Sequence, residues 1–443
     1  MNQMKSSDKK SVFTAKTATA IIIANMIGTG VFTSLGFQLL DINSVFALLM
    51  LWVIGGIAAF CGAVSYAELG AAFPRSGGEY NFLGRIYHPA AGFVSGWVSA
   101  TIGFAAPIAA VALAFAKYSG AALPWEWSTN VEKVVTIALV LSLTFIHSLT
   151  RALSSGLQDS FTFIKIVLIL AFCTAAFFLT PNTQDLSLLP QISDGAIMTS
   201  ASYAVALIYV SYAYTGWNAA TYISGELANP QKSLPKILIT GTVVVMVLYV
   251  FLNAAFLYAA PMESMKGEVE IGYIAAQNIF GENGARIAGA MLALLLISSV
   301  SAMTISGPRA LQVLGEDIKT FSWFSQTNTS GLPYNAILFQ SLIAIIFILT
   351  ASFKTIIIFA GSMLAFNSFL TVCGIFVLRY KHKSISRPYN AFLYPLTPII
   401  YLAITGFTLI FVIRDNPFSA IVGLGVIGLG LFFYAVTKDK NKA

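Results

Sequence analysis

The sequence predicts an all-α integral membrane protein with about twelve transmembrane helices. Of its 443 residues, 57% are hydrophobic and only 10% are charged, whereas a soluble domain carries about 25% charged residues. The mean hydropathy is +0.79. Apolar stretches of about 20 residues, the length that crosses a bilayer, recur along the whole chain. We therefore expect a single polytopic domain over residues 1–443, without a separate soluble domain between the spans.

The N-terminal segment and the cysteines add little to this prediction. The first 16 residues are polar and basic, and the apolar run after them is too long for a signal peptide, so we expect the first span to direct insertion. Cys61, Cys173 and Cys373 all fall inside apolar segments. They are typical of small buried hydrophobic residues and not of disulfides or a metal cluster.

Twelve spans follow in chain order from the apolar stretches. The third, sixth and eighth are longer than a bilayer requires, so we expect them to tilt, break or protrude. The predicted spans cover residues 15–39, 44–71, 82–118, 129–148, 157–180, 196–226, 234–260, 284–312, 335–351, 355–378, 391–413 and 418–437.

The distribution of lysine and arginine predicts the orientation. Loops on the side of the N-terminus hold 18 of the 25 basic residues, and the opposite loops hold 6. The positive-inside rule then places both termini in the cytoplasm, which requires an even number of spans. The basic balance is thus explained by topology in the plasma or inner membrane, and nucleic acid is not expected as a partner.

Two spans contain residues that weaken a helix at its centre. In the stretch "ANMIGTGVF" (24–32), Gly28 and Gly30 flank Thr29 in mid-span, and each glycine in a helix interior costs about 1 kcal/mol relative to alanine. The sixth span has a similar weak point at Gly216. Glycine in membrane helices also permits close packing, and a single Gly-x-Gly would be interpreted that way. Two weak points in corresponding spans favour a binding site.

The two weak points lie five spans apart, and an odd offset inverts the direction of the chain. Spans 1–5 (15–180) and 6–10 (196–378) are therefore predicted to be inverted repeats, with spans 11–12 (391–437) outside them. Interrupted helices at corresponding positions of such repeats indicate the binding site of a transporter. A broken helix exposes N–H groups that suit a carboxylate and C=O groups that suit an ammonium. Two of them together fit the zwitterion of an α-amino acid.

Four stretches of the sequence resemble the amino acid–polyamine–organocation (APC) superfamily, and within it the bacterial relatives of the L-type amino acid transporters. The resemblance implies a LeuT-like core of five plus five helices with two extra C-terminal helices. The four stretches are "MIGTGVF" (26–32), "SYAELGAAFPRSGGEYNFL" (65–83), "QDSFTFIKIVLIL" (158–170) and "YAYTGWNAATYISGELANPQKSLPKI" (212–237).

The resemblance also implies how an amino acid is held. Its carboxylate is expected at the backbone N–H groups of Thr29 and Gly30 and at the Thr29 hydroxyl, with Val31 as a further candidate. Tyr212 is expected to gate access from outside, and Trp217 is the next candidate for that gate. The ammonium is expected to meet carbonyl groups, which here are those of Met26, Tyr212, Ala213 and Thr215.

The chain departs from its resembling family at one pocket position. Many L-type relatives have two glycines where this sequence has Thr215 and Gly216. A β-branched threonine narrows the pocket under the substrate side chain. This favours small to medium neutral amino acids over bulky aromatic ones.

Lys165 is a charged residue deep inside the fifth predicted span. A charge at such a depth costs at least about 2.5 kcal/mol, so it is a functional candidate, although a lysine can also snorkel from a helix end. In the resembling family, a lysine at this position reaches the first break and span 8 and takes the place of a sodium ion. A buried lysine can also release its proton, so Lys165 is a candidate for proton coupling as well.

Other charged residues cluster near the predicted cytoplasmic ends of spans. Glu68, Arg75, Glu79 and Glu226 either pair as gate charges or are solvated loop residues. His147 lies at the inner end of span 4 and is expected at the membrane interface.

The leading interpretation is a secondary active transporter of amino acids that works by alternating access, without sodium, by exchange or proton symport. A polyamine or cationic amino acid transporter of the same superfamily is the alternative. An intramembrane transferase would need His, Asp and Glu clusters facing a cavity, and the spans almost lack them. No cofactor is expected, because phosphate-binding loops, metal-ligand spacings and hydrolase triads are missing from the sequence. The coupled proton, the counter-substrate and the oligomeric state stay open.

Overall fold

The computed structural model describes residues 13–125, 127–149 and 151–440, and these residues form mainly α-helices. Within this part of the chain, the only β-type pairing is an isolated bridge between Phe13 and Leu227. Among the described residues, ten helices are long and apolar enough to cross a membrane. The count is eleven if the bent pair Ile192–Met198 and Ala201–Tyr214 forms one span. The predicted all-α multi-pass membrane protein is confirmed, and the count of twelve stays a prediction.

A helix lies at each of the twelve predicted positions, and the ninth, Tyr334–Thr350, is a shorter apolar helix. The helices at these positions, with two halves where a span is interrupted, are Ala15–Met26 with Thr29–Gln38, Val45–Ala72, Pro89–Val98 with Ala105–Ala121, Thr129–Leu149, Arg151–Leu179, Ala201–Tyr214 with Ala219–Tyr222, Pro230–Ala259, Ile271–Ser306, Tyr334–Thr350, Phe353–Lys381, Leu396–Asp415 and Pro417–Lys440. We number them as spans 1–12 and call the halves 1a and 1b, 3a and 3b, and 6a and 6b.

The predicted starts of spans 3 and 8 differ most from the structure. The third predicted span begins at 82, but Glu79–Ile86 is a separate short helix and span 3 begins at Pro89. Proline is favoured in the first turn of a helix, where its missing N–H would be unpaired anyway. The eighth predicted span begins at 284, but the helix begins earlier, at Ile271, and Gly281 (φ 71°) interrupts it.

Spans 1 and 6, in which the sequence predicts the two breaks, lie at the centre of the molecule. In span 1, 89% of the most apolar stretch is buried, against 17% in span 12. Half-helix 6a packs against 1b, and 6b packs against 1a. Span 12 instead exposes large apolar side chains such as Phe418 and Phe432, as expected for a surface that faces lipid. The fold therefore places the two breaks side by side, away from the bilayer.

Candidate functional site

The break in span 1 produces a helix N-terminus inside the protein. Half-helix 1a ends at Met26 and 1b begins at Thr29, and the Gly28 N–H turns back to the Met26 carbonyl at 2.7 Å. Gly30 lies in the first turn of 1b and not in the unwound segment itself. The first N–H groups of a helix have no intrahelical acceptor and carry the positive end of its dipole. The N–H groups at positions 29–31 are therefore suited to an anion.

The break in span 6 depends on one glycine. Half-helix 6a ends at Tyr214 and 6b begins at Ala219. Between them Gly216 has φ +101°, in the left-handed region that side chains disfavour. A Cβ there would also lie 2.9 Å from the backbone carbon of Asn25 in span 1. Glycine thus provides both the turn and the close approach of the two spans.

The two interrupted spans also touch at Gly30. A Cβ on Gly30 would lie 2.5 Å from the Cβ of Ala213 in 6a. The Tyr212 hydroxyl lies beside the Thr29 side chain. Both hydroxyl oxygens are buried, and neither has a partner at hydrogen-bonding geometry. Buried unpaired polar groups cost about 1–3 kcal/mol each, so these two hydroxyls are suited to hydrogen bonding with a polar ligand.

Most of the carbonyls expected to bind the substrate ammonium already accept internal hydrogen bonds. The Tyr249 hydroxyl from span 7 contacts the Met26 carbonyl and, at 3.0 Å, the Ala213 carbonyl. The Tyr212 carbonyl accepts from the Thr215 N–H at 3.0 Å and from its hydroxyl at 2.6 Å. A substrate ammonium must displace these donors. The sequence does not identify Tyr249 as a site residue, because a hydroxyl within an apolar span is the only feature that marks it.

We expect the Tyr249→Phe variant to be less stable when empty and to gain more stability from substrate than the wild type. Removing the hydroxyl takes this donor from the buried Ala213 carbonyl and leaves the Met26 carbonyl with the Gly28 N–H, and a buried group that loses its partner costs about 1–3 kcal/mol. A bound ammonium restores a donor. Thermal unfolding of the purified protein with and without amino acid measures both effects.

Tyr214→Phe is the matched control, because the Tyr214 hydroxyl donates to the Trp52 carbonyl at 3.0 Å and not to a break. Its ring packs directly against that of Tyr249. Equal substrate-induced shifts in the two variants would show that the Tyr249 hydroxyl does not compete with the ammonium.

Lys165 reaches the first break from span 5. Its buried Nζ lies 2.8 Å from the Ile27 carbonyl and 2.8 Å from the Ser299 hydroxyl in span 8. Ser299 also donates to the Ile27 carbonyl, at 2.7 Å. The ammonium therefore donates a hydrogen bond to a carbonyl that the break has freed, and its contacts connect spans 1, 5 and 8. Its role in place of a cation stays a prediction.

A small cavity of about 40 Å³, which we call the central cavity, lies below the break in span 6. Its polar lining comes from spans 1, 6 and 10, and its apolar lining from spans 3, 6, 8 and 10. The lining residues with polar side-chain atoms are Asn25, Thr215, Trp217, Asn218, Tyr222 and Ser368.

The face of the molecule that holds Phe13, called the N-terminal face, is closed by polar contacts. Arg309 at the end of span 8 pairs with Glu226 at 2.8 Å, and the Phe13 N–H donates to the Glu226 carbonyl at 3.2 Å. Arg75 pairs with Asp317 at 2.7 Å, and this hydrogen bond raises the pKa of Arg75. These contacts tie the ends of spans 1, 2, 6 and 8 together.

The remaining charged candidates are buried, which contradicts the solvated alternative for them. Glu68 pairs with Arg379 at 2.6 Å. Glu79 accepts hydrogen bonds from neutral side chains only, as described below. None of the four candidates pairs with another. His147 is buried too, with Nε2 2.9 Å from the Ser301 hydroxyl, and does not face the membrane interface.

The opposite face is closed by aromatic rings. Phe37 at the end of 1b stacks on Tyr209 with ring centroids 5.5 Å apart, and on Phe353 at 6.1 Å. Trp217, a candidate for a gate on this side, instead packs against Tyr66 at 4.6 Å, toward the N-terminal face. Ring packing therefore connects the helices on this face, whereas polar contacts connect them on the N-terminal face.

A multi-pass helical membrane protein in which two interrupted helices meet at a buried polar site is a secondary transporter. The chain belongs to the amino acid permease family, which matches residues 13–433. It is therefore an amino acid permease and not an enzyme, and the resemblance found in the sequence is confirmed.

Curated relatives match nearly the whole chain. It is 28% identical over 435 residues to the large neutral amino acids transporter small subunit 2 of Mus musculus, covering 95% of this chain and 80% of the relative. It is 28% identical over 429 residues to the b(0,+)-type amino acid transporter 1 of Mus musculus, covering 94% and 85%. It is 28% identical over 436 residues to the serine/threonine exchanger SteT of Bacillus subtilis, covering 96% of both chains.

Proposed function

We propose that the chain transports small to medium neutral L-amino acids across the cell membrane without sodium, by exchange or proton symport. Both termini are cytoplasmic in this proposal, as the distribution of basic residues predicts. The observation that carries the proposal is the contact of Lys165 with the Ile27 carbonyl at the first break. A fixed ammonium there supplies the positive charge that a sodium ion would bring.

The substrate carboxylate binds at the start of 1b in this proposal. The N–H groups of Thr29 and Gly30, with Val31, provide the donors, and the unpaired Thr29 hydroxyl adds another. The ammonium binds the carbonyls of Met26 and Ala213 once the Tyr249 hydroxyl has moved away. Tyr212 covers this place, since its own hydroxyl lies beside Thr29.

The central cavity supports a small and uncharged substrate side chain. Its volume is about 40 Å³, and Thr215 is among its lining residues. No acidic residue appears among its lining residues within the described part of the chain. A polyamine or a cationic side chain would have no carboxylate to pair with there, and burying an unpaired charge is costly.

Alternating access follows from the two closures. We infer that residues 15–180 and 196–378 act as inverted repeats that move against each other around the broken segments. Opening one face breaks the contacts of Arg309 and Arg75, and opening the other separates Phe37 from its aromatic partners. The relatives include a large neutral amino acids transporter and a serine/threonine exchanger, and these names support neutral amino acids as the substrate class.

We expect uptake of neutral amino acids into proteoliposomes to be the same in sodium, potassium and choline media, because Lys165 already occupies the place of a cation. The measurement is initial uptake of a labelled panel of amino acids, with and without internal amino acid and with and without a pH gradient. The internal amino acid arm reports exchange, and the gradient arm reports proton symport. Uptake that rises with sodium would refute the assignment of Lys165.

A further inference from the structure

Four polar side chains that line the central cavity, those of Asn25, Thr215, Asn218 and Tyr222, donate hydrogen bonds to groups outside it. Asn25 donates through Nδ2 to the Ile21 carbonyl at 2.8 Å and to the Ser306 hydroxyl at 3.5 Å. Thr215 donates through its hydroxyl to the Tyr212 carbonyl. What these two side chains leave for a ligand in the cavity is their oxygen atoms, which can only accept.

The other two groups owe their orientation to Glu79, which lies outside the cavity. Glu79 is buried at the start of the short helix Glu79–Ile86. Its Oε1 accepts from the Asn218 amide at 2.5 Å and from the Tyr66 hydroxyl at 2.8 Å, and its Oε2 accepts from the Tyr222 hydroxyl. No lysine or arginine of the described residues forms an ion pair with it.

This arrangement fixes which atom of Asn218 faces the cavity. The nitrogen and oxygen of an amide are assigned from their hydrogen bonds, and here the partner decides the assignment. Oε1 of Glu79 receives two hydrogen bonds and is an acceptor, so the atom facing it is the NH₂ group. The Asn218 Oδ1 makes no hydrogen bond with any described residue and remains available on the cavity side.

We propose that the central cavity selects substrates whose side chain carries a hydroxyl, and that Glu79 is the positioning residue that sets this preference through Asn218. The proposal rests on the proposed function and names the substrate class within it. A short side chain with an O–H finds several acceptors and satisfies its only hydrogen. An apolar side chain of the same shape leaves the Asn218 and Asn25 oxygens without water and without a partner.

Size separates the hydroxyl from other donors. Amide and cationic side chains also donate hydrogen bonds, but they are longer than those of serine and threonine, and the cavity, at about 40 Å³, is small. The Ser368 hydroxyl lies beside the hydroxyl groups of Tyr66 and Tyr401. The Trp217 ring packs against the rings of the same two tyrosines. The substrates that fit best are therefore amino acids of the size of serine and threonine.

The test compares threonine with valine, which share a shape and differ by the hydroxyl. Dissociation constants come from the concentration dependence of thermal stabilisation of the purified protein, and serine with 2-aminobutyrate forms a second pair. In the wild type we expect threonine to bind about tenfold or more tightly than valine, because sites built around a substrate hydroxyl discriminate against analogues that lack it.

In Asn218→Leu we expect the ratio of threonine affinity to valine affinity to fall by about threefold or more, since the shape is kept and one of the acceptors is lost. Asn367→Leu is the matched control: Asn367 is also a buried asparagine of a span, its Nδ2 has no partner, and it does not line the central cavity. The ratio is expected to stay at the wild-type value there.

A second pair of variants tests Glu79 independently. Glu79→Gln keeps an oxygen that can accept from Asn218, so the ratio is expected to stay high, whereas Glu79→Leu removes it and the ratio is expected to fall. A merely structural role would lower binding of both amino acids in Glu79→Leu and leave their ratio unchanged, which would overturn the positioning role.

The outcomes separate the inference from the proposed function. Binding of neutral amino acids with equal affinity for threonine and valine overturns the inference alone, and so does an unchanged ratio in Asn218→Leu. Tightest binding of lysine or arginine, or no binding of any neutral amino acid, overturns both.

Discussion

Transport by the Lys165→Ala variant is expected to be lost even though substrate still binds. The ammonium neutralises the Ile27 carbonyl and connects spans 1, 5 and 8 through contacts of 2.8 Å. Without it, the freed carbonyl keeps only the Ser299 hydroxyl, and losing a charged partner costs about 1.5–3 kcal/mol. A difference of that size shifts a balance between two conformations by about one to two factors of ten. Uptake into proteoliposomes and thermal stabilisation by amino acid measure the two properties separately.

Three variants identify the cause. Lys165→Met keeps most of the volume and removes the charge, so it is expected to fail as Lys165→Ala does. Ser299→Ala removes a neutral contact to Ile27 and is expected to be milder. Ser298→Ala is the matched control, because its buried hydroxyl donates to the Leu295 carbonyl of its own helix. Normal transport by Lys165→Met would show that volume, and not charge, is what the position requires.

A side chain at Gly30 is expected to abolish substrate binding. Even the Cβ of an alanine at position 30 would lie 2.5 Å from the Ala213 Cβ. Gly30→Val must push half-helices 1b and 6a apart, and overpacking of this kind costs about 1–3 kcal/mol. The donors for the carboxylate and the acceptors for the ammonium then no longer face each other at the right spacing. We expect a loss of affinity of at least about tenfold, measured by thermal stabilisation in detergent.

Gly28→Ala is the control from the same stretch. A Cβ on Gly28 would meet nothing closer than 3.5 Å, and its φ of −111° is open to other residues. Binding by Gly28→Ala is expected to stay close to that of the wild type. If Gly30→Val binds amino acid as tightly as Gly28→Ala, the carboxylate does not bind at the start of 1b.

The parts of the site that the sequence predicts are those that break a rule of membrane helices. Glycine at mid-span and a lysine at depth are costly wherever they occur, so Gly28, Gly216 and Lys165 stand out in the sequence alone. Tyr249 does not, since tyrosine is tolerated in a span and its meaning lies in a contact with Met26, 223 residues away. The orientation of Asn218 was equally hidden, because Glu79 decides it from another segment, 139 residues earlier.

Boundaries were missed where apolar sequence continues through a break. Arg85 and His88 are the only strongly polar residues between Phe82 and Pro89, so hydropathy over a span-length stretch joined most of the short helix Glu79–Ile86 to span 3. The partners of the charged residues were missed for a different reason. Their closeness in the sequence suggested that Arg75 and Glu79 act together. In the structure, Arg75 forms an ion pair with Asp317, and Glu79 accepts hydrogen bonds from hydroxyl and amide groups.

The two closures have different chemistry, and this leaves the protein two independent targets for natural selection. Substitutions among Phe37, Tyr209 and Phe353 alter only ring packing on one side, and substitutions at Arg309 or Glu226 alter only an ion pair on the other. Effects of changes at distant sites without shared partners add almost independently. A lineage can therefore shift the balance between the two open conformations from either side in small additive steps, without changing the residues that recognise the substrate.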